Sequence, residues 1–157
     1  MKSAYRVLAY LIALGVVVQA ASIAFALFGL TKWIEEGGTL DKAAMESDSI
    51  TFTGVVGFPI HFINGQMLIP LLAIILLIVS FFAKIPGGSK WAGFVLLSIV
   101  VQVLLGMFGH GITALGALHG LNALVVFSLA VMAGMRVARV MHHAPQRATS
   151  TAEPELV

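Results

Sequence analysis

The fold is decided by a long charge-free stretch, residues 91–135, which reads WAGFVLLSIVVQVLLGMFGHGITALGALHGLNALVVFSLAVMAGM. This stretch is too long for one membrane-spanning helix, which needs about 20 apolar residues. Three glycines interrupt it within residues 109–116. The stretch therefore predicts two helices, over residues 91–108 and 115–135, joined by a glycine-containing turn.

Two further apolar stretches precede this pair. One runs from Val7 to Leu30 and the other from His61 to Ala83, and neither contains a charged residue. Each is long enough to cross a hydrocarbon core of roughly 30 Å. We predict spans at about residues 7–30 and 59–83. With the later pair, the expected fold is an all-α membrane protein with a bundle of four transmembrane helices.

The composition excludes most soluble functions. The 157 residues are 59% hydrophobic and only 10% charged, and the mean hydropathy is +1.01. A soluble domain carries roughly 25% charged residues, so this chain cannot cover a water-facing surface. That excludes a cytosolic enzyme and a nucleic-acid-binding module, and it makes the lipid bilayer the first expected partner. The lack of cysteine excludes disulfides, thiolate zinc sites and iron–sulfur clusters.

Basic residues predict how the four spans are oriented. Seven of the nine Lys and Arg residues lie at the two chain ends and in the loop after the second span. Only Lys32 and Lys42 fall in the first loop, residues 31–57. By the positive-inside rule both termini are cytoplasmic. A signal peptide cut near Gln19–Ser22 is the alternative for the first span, but the apolar run continues well past that point, which favours a retained span.

Two segments outside the spans carry predictions of their own. A short helix is expected near residues 40–47 of the first loop. Residues 1–143 are predicted to form one transmembrane domain, and residues 144–157 a disordered cytoplasmic tail. The tail prediction follows from a composition rich in Pro, Ser, Thr, Ala and Glu.

The two halves of the chain share a short pattern. Val17–Gln19 in span one resembles Val100–Gln102 in span three. The opening of span two, His61–Asn64, resembles that of span four, His119–Asn122. Each half is thus a helical hairpin with Gln in its first helix and His-x-x-Asn at the start of its second. We predict two tandem helix-hairpin repeats in parallel relation, because spans one and three point the same way.

His61 and His119 are the candidate metal ligands. They start spans of the same direction and so lie at similar depth, and neutral imidazole is a good axial ligand for haem iron. Asn64 and Asn122 follow at i+3 on the same helical face, where they could hydrogen-bond a cofactor or each other. His110, at the end of span three, could contact haem propionates. The alternative is that these are interfacial polar residues bonded to loop carbonyls or lipid headgroups.

Other polar residues in the spans have more ordinary interpretations. Gln19 and Gln102 lie deep in spans one and three, where an interhelical hydrogen bond is favoured. A zinc or copper site would need three or four ligands, and only histidines are available. No Asp or Glu lies within a span, which argues against ion-coupled transport and a carboxylate proton relay.

The pattern resembles one four-helix half of haem A synthase. The resemblance rests on His61, on His119, and on the segments Val100–Gly106 and Leu118–Leu124, which are similar to the family's Gln-x-x-x-Gly and His-x-x-x-Ala patterns. Each four-helix half in this family can hold haem between histidines of its second and fourth helices. The resemblance therefore implies haem b held by His61 and His119 in a bacterial plasma membrane.

The sequence also departs from that family. A glutamate precedes the second-helix histidine by three residues in the family's catalytic half, and here that position is Phe58. The paired loop cysteines and the second bundle are missing as well. These departures argue against the family's hydroxylating activity while leaving haem binding in place.

The expected function is electron transfer, or haem or redox sensing, by a membrane haem b protein. The expected partner is a membrane redox protein or a second copy of the chain. Two alternatives stay open, a cofactor-free accessory subunit of a larger membrane complex and a small transporter. An oxidase-like enzyme would require one of the two haem ligands to be labile.

Overall fold

The computed structural model describes residues 1–46 and 50–142, and these residues form helices and turns without any strand. The predicted tail, residues 144–157, lies outside the described residues. The helices in chain order are α1 Lys2–Glu35, α2 Lys42–Glu46, α3 Gly57–Ile63, a π-helical turn Asn64–Leu68, α4 Ile69–Phe82, α5 Gly88–Gly109 and α6 Thr113–His142.

Four segments of this described part are long and apolar enough to cross a membrane, which confirms the all-α, four-span prediction. They are Lys2–Glu35, Gly57–Phe82, Gly88–Gly109 and Thr113–Val137. Large apolar side chains on them are widely exposed, for example Phe28 at 77% and Leu124 at 65%. Water would disfavour so much exposed apolar surface, whereas the hydrocarbon of a bilayer accommodates it. The chain is a multi-pass membrane protein.

The helices extend beyond the predicted spans. α1 covers Lys2–Glu35 rather than residues 7–30, and its 34 residues measure about 50 Å at 1.5 Å per residue. α6 likewise continues past residue 135 to His142. The added turns contain Lys, Arg and Glu, which are good helix formers and end the charge-free pattern without ending the helix. A charge-free run therefore marks the apolar part of each helix and not its ends.

The turn between α5 and α6 is shorter than the glycines predict. Only residues 110–112 separate the two helices, instead of the predicted 109–114, and Gly116 lies inside α6 as predicted. The turn closes through the carbonyl of Phe108, which accepts hydrogen bonds from the N–H groups of Gly111 and Ile112, both at 3.1 Å. A Cβ on Gly116 would meet no atom within 4 Å, so crowding does not require glycine there.

The chain forms two compact units. One consists of Leu14–Ile69 and is called the Leu14 unit below. The other consists of Met1–Ala13 with the described residues from Pro70 onward, and is called the Pro70 unit.

In the Leu14 unit, α3 packs closely against α1. A Cβ on Gly57 would clash with the backbone oxygen of Ser22 and lie 3.0 Å from the Cβ of Ala26. Glycine at this position therefore lets the two helix backbones approach, as small residues do in membrane helix pairs. This approach brings the start of α3 within hydrogen-bonding distance of α1.

The short helix predicted in the first loop is present as α2, Lys42–Glu46. Its first turn is capped by Asp41, whose Oδ1 accepts a 2.7 Å hydrogen bond from the N–H of Ala44. Beside it, the Trp33 and Phe52 rings stack with centroids 6.1 Å apart. The first loop is thus anchored to the end of α1 by aromatic packing.

A π-helical turn separates α3 from α4, next to Pro70. The N–H of Ile69 bonds to the carbonyl of Asn64, five residues earlier. Pro70 follows and has no N–H to donate, so the regular ladder lacks a bond at this point. π-turns are frequent at functional sites, and this one begins three residues after His61.

In the Pro70 unit, α5 and α6 form a helical hairpin that contacts the first turns of α1. Tyr5 is fully buried, and its hydroxyl donates a 2.9 Å hydrogen bond to the carbonyl of Gly88. A Cβ on Gly134 would lie 2.8 Å from the ring of Tyr10. The first turns of α1 are therefore fixed to the start of α5 and to the later turns of α6.

Candidate functional site

His61 is held by the backbone of α1 in the Leu14 unit. Its Nδ1 lies 3.0 Å from the backbone oxygen of Gln19, and the ring is half-buried. A carbonyl oxygen can only accept, so Nδ1 carries the proton in this contact. In a neutral imidazole the lone pair then belongs to Nε2, which is the atom that could bind a metal.

Asn64 ties the same two helices together three residues later. Its Nδ2 donates to the backbone oxygen of Gly15 at 2.9 Å and to the Oε1 of Gln19 at 3.2 Å. The residue is only 7% exposed, so these bonds satisfy an amide that burial would otherwise penalise. Both amide hydrogens are used, so a further bond from this nitrogen to a cofactor would have to replace one of them.

His119 has the same environment in the Pro70 unit. Its Nδ1 lies 3.0 Å from the backbone oxygen of Gln102 on α5, and the ring is half-buried. The same argument assigns the proton to Nδ1 and the lone pair to Nε2. A Cβ on Gly106 would lie 3.1 Å from the ring atoms Cε1 and Nδ1, so glycine at that position gives the imidazole its room.

Asn122 repeats the role of Asn64. Its Nδ2 donates to the backbone oxygen of Ser98 at 2.9 Å and to the Oε1 of Gln102 at 2.7 Å. The hydroxyl of Ser98 donates in turn to the Oδ1 of Asn122 at 3.2 Å. The hairpin of α5 and α6 is therefore closed by a network of side-chain and backbone bonds.

The two networks have the same construction. In each unit one Gln accepts twice, from His through its backbone oxygen and from Asn through its side-chain oxygen. In each, the Asn also bonds to the backbone oxygen four residues before that Gln. This confirms the predicted interhelical role of Gln19 and Gln102, and the shared Gln and His-x-x-Asn pattern proves to carry one repeated set of contacts.

The two networks differ in their surroundings. The Leu14 unit has Gly15 where the Pro70 unit has Ser98, so only the second network gains a hydroxyl. The π-helical turn begins at Asn64, whereas α6 is regular through Asn122. A Cβ on Gly65 would clash with the side-chain amide of Gln19, so α1 and the π-helical turn are especially close.

His110 is exposed in the turn that follows α5. A contact of His110 with haem propionates stays a prediction.

The available donor side chains suit a metal that is held mainly by the other atoms of its cofactor. Among the described residues there is no group of three or more His, Cys, Asp or Glu side chains that could hold a metal ion. Haem iron needs only one or two protein ligands, because the porphyrin supplies four nitrogens. The two imidazoles are therefore suitable for haem iron in donor chemistry.

Two further features were not expected from the sequence. An apolar cavity of about 440 Å³ in the Leu14 unit lies between α2 and the end of α1; its lining includes Leu30, Met45 and Phe58. In the Pro70 unit, Arg136 stacks over the ring of Trp91. Both features join residues far apart in the chain, and no local motif marks either of them.

In comparisons with known proteins, no protein-family model, no curated protein and no solved structure matches this chain. The resemblance to haem A synthase stays a prediction based on short motifs.

Proposed function

We propose that this chain is an integral membrane haem b protein that transfers electrons or senses haem or redox state. In this proposal His61 and His119 each supply an imidazole ligand to haem iron. The observation that carries it is the repeated bond from Nδ1 to a backbone carbonyl, at 3.0 Å in both units.

This bond is the arrangement that metal-binding histidines commonly have. A ligating imidazole usually donates its other ring N–H to a carbonyl, a carboxylate or water, which fixes the tautomer and the ring orientation and makes the ligand more basic. Here the carbonyls of Gln19 and Gln102 serve that purpose. An Nε2 lone pair with a fixed direction is what an axial site on iron requires.

Asn64 and Asn122 support the ligands indirectly. Each Asn fixes the side chain of the Gln whose backbone oxygen holds the histidine. A half-ångström drift of a ligand weakens a metal site, so rigid support of this kind favours a binding role over a merely polar helix contact. We therefore regard the two asparagines as positioning residues.

The direction of the chain in the bilayer belongs to the same proposal. Both termini would be cytoplasmic, because seven of the nine Lys and Arg residues lie at the chain ends and in the loop before α5. In this orientation His61 and His119 each lie near the start of a span that runs from the non-cytoplasmic face to the cytoplasmic face. The haem would then lie in the non-cytoplasmic half of a bacterial plasma membrane, where a membrane redox protein or a second copy of the chain could exchange electrons with it.

A cofactor-free accessory subunit is the second candidate, and one observation favours it. Both amide hydrogens of Asn64, and both of Asn122, are satisfied within their own networks. Such networks can close a helical hairpin in a membrane without any cofactor.

The deciding experiment is the haem content and visible spectrum of the detergent-purified protein, oxidised and then reduced. A haem b protein should retain about one haem per chain and give sharp low-spin bands after reduction. A colourless protein that also takes up no haem on titration would reject the proposal and favour the accessory subunit.

A further inference from the structure

Arg136 is a charged residue near the end of the fourth span, and part of it is buried without a hydrogen-bond partner. The span Thr113–Val137 ends one residue after it. Its Nε is shielded from solvent and, among the described residues, has no acceptor. Its guanidinium carbon lies 4.8 Å from the centre of the Trp91 ring.

The Trp91 contact does not satisfy this group. A cation–π contact uses the face of the guanidinium and supplies no acceptor to the Nε–H, which lies in the guanidinium plane. A buried donor without a partner is uncommon in proteins and calls for an explanation. An acceptor from outside the described chain would supply one.

The Pro70 unit offers no carboxylate to this arginine. None of its described residues is Asp or Glu, and the ion pairs found in the described chain are Lys32 with Glu36 and Lys42 with Glu46. The same unit carries Lys84 and Lys90 close to the start of α5. The unit is therefore cationic at this end, and an external acceptor should be an anion.

The position of Arg136 and Trp91 in the membrane indicates which anion would bind. Trp91 lies in the first turn of the span Gly88–Gly109 and Arg136 in the last turn of Thr113–Val137, so the pair lies at the ends of two spans, where phosphate headgroups are found. The planar guanidinium fork matches phosphate oxygens in bidentate geometry. Stacking on the indole holds this fork in one plane.

We propose that Arg136, stacked on Trp91, binds a phosphate group of net negative charge, carried by an anionic lipid or free in solution. The phosphate oxygens accept hydrogen bonds from the guanidinium, and the indole fixes its plane. This site does not include any residue of the histidine networks, so its test does not depend on whether the protein binds haem.

Trp91 fluorescence can report the binding. Trp33 and Trp91 are the two tryptophans of the chain, so Trp33→Phe leaves one emitter next to the proposed site. This variant in neutral detergent is titrated with phosphatidylglycerol, with phosphatidylcholine and with inorganic phosphate at constant ionic strength. We expect a saturable change with phosphatidylglycerol and none with phosphatidylcholine. A saturable change with inorganic phosphate as well assigns the site to free phosphate and lipid alike, and no change with any of the three overturns the proposal.

Substitutions then locate the site. Arg136→Gln should weaken phosphatidylglycerol binding by about fivefold or more, and Arg136→Lys by less, because it keeps the charge but loses the planar fork. Arg6→Gln is the matched control, since Arg6 also lies over an aromatic ring, 5.8 Å from the centre of Tyr10, but is exposed. If Arg136→Gln does not fold, the lysine variant and the titration of the parent protein still decide. Parent-like binding by Arg136→Gln, or by Arg136→Lys where the glutamine variant does not fold, would overturn the proposal.

Discussion

Gln19 and Gln102 each serve two partners, and this double role explains why a polar residue occurs deep in an apolar span. The side-chain oxygen accepts from Asn, and the backbone oxygen accepts from His. A lone Gln in hydrocarbon would be costly, whereas this one closes a helical hairpin and fixes an imidazole. At the residue scale, then, stability and the orientation of the imidazole come from the same few bonds.

Asn64→Leu should measure the stabilising part of this arrangement. The substitution keeps a similar volume but removes two interhelical hydrogen bonds, so we expect the free energy of unfolding to fall by about 1 kcal/mol or more. Thermal unfolding in detergent is the measurement. Ser80→Ala is the control, because Ser80 is equally buried but bonds to Leu77 of its own helix. Equal stability of the two variants would show that the Asn64 bonds do not hold the hairpin.

At the element scale, close approach of α1 and α3 is what places His61 beside Gln19. Gly57→Ala would push a methyl group into the backbone oxygen of Ser22, so it should destabilise the protein and weaken the His61 contact. Gly93→Ala in α5 is the matched control, because a Cβ at Gly93 would meet no atom within 4 Å. We expect the control to be neutral or stabilising by up to about 1 kcal/mol. Comparable unfolding temperatures for both variants would contradict the close-packing account.

Sequence patterns predicted some elements well and others poorly, for physical reasons. Charge-free runs located all four spans, because a charge inside hydrocarbon is expensive. They missed the ends of α1 and α6, because both helices continue past the apolar region. The π-helical turn was not foreseen, since Pro70 indicates a missing bond but not how the backbone compensates for it.

The two histidine networks were only partly predictable. The His-x-x-Asn openings and the mid-span Gln residues were visible as a repeat, and the role of Gln in interhelical bonding followed from the cost of burying an amide. That the backbone oxygen of the same Gln would hold the histidine could not be read from the sequence, because backbone carbonyls leave no residue pattern. The contact of Arg136 with Trp91 could not be predicted either, because it joins side chains of two different helices and no local sequence pattern marks it.

At the scale of the whole molecule, the proposed orientation puts the first loop outside and the loop before α5 in the cytoplasm. The chain has no cysteine, so single-cysteine variants give unambiguous labelling. Met45→Cys and Lys84→Cys place the probe at exposed positions in the first loop and in the loop before α5. We expect a membrane-impermeant maleimide to label Met45→Cys in intact cells and Lys84→Cys only after permeabilisation. The reverse pattern would invert the topology and move the histidines to the cytoplasmic side.

The central claim is that His61 and His119 both bind iron, and the visible spectrum of their alanine variants tests it most directly. In the reduced parent protein we expect sharp low-spin bands. His61→Ala and His119→Ala should each lose haem or give a high-spin spectrum, because one imidazole leaves a coordination position open. His110→Ala should keep the low-spin spectrum and change only the potential, and His142→Ala should change neither. Haem-replete His61→Ala or His119→Ala protein with the parent spectrum would contradict the account.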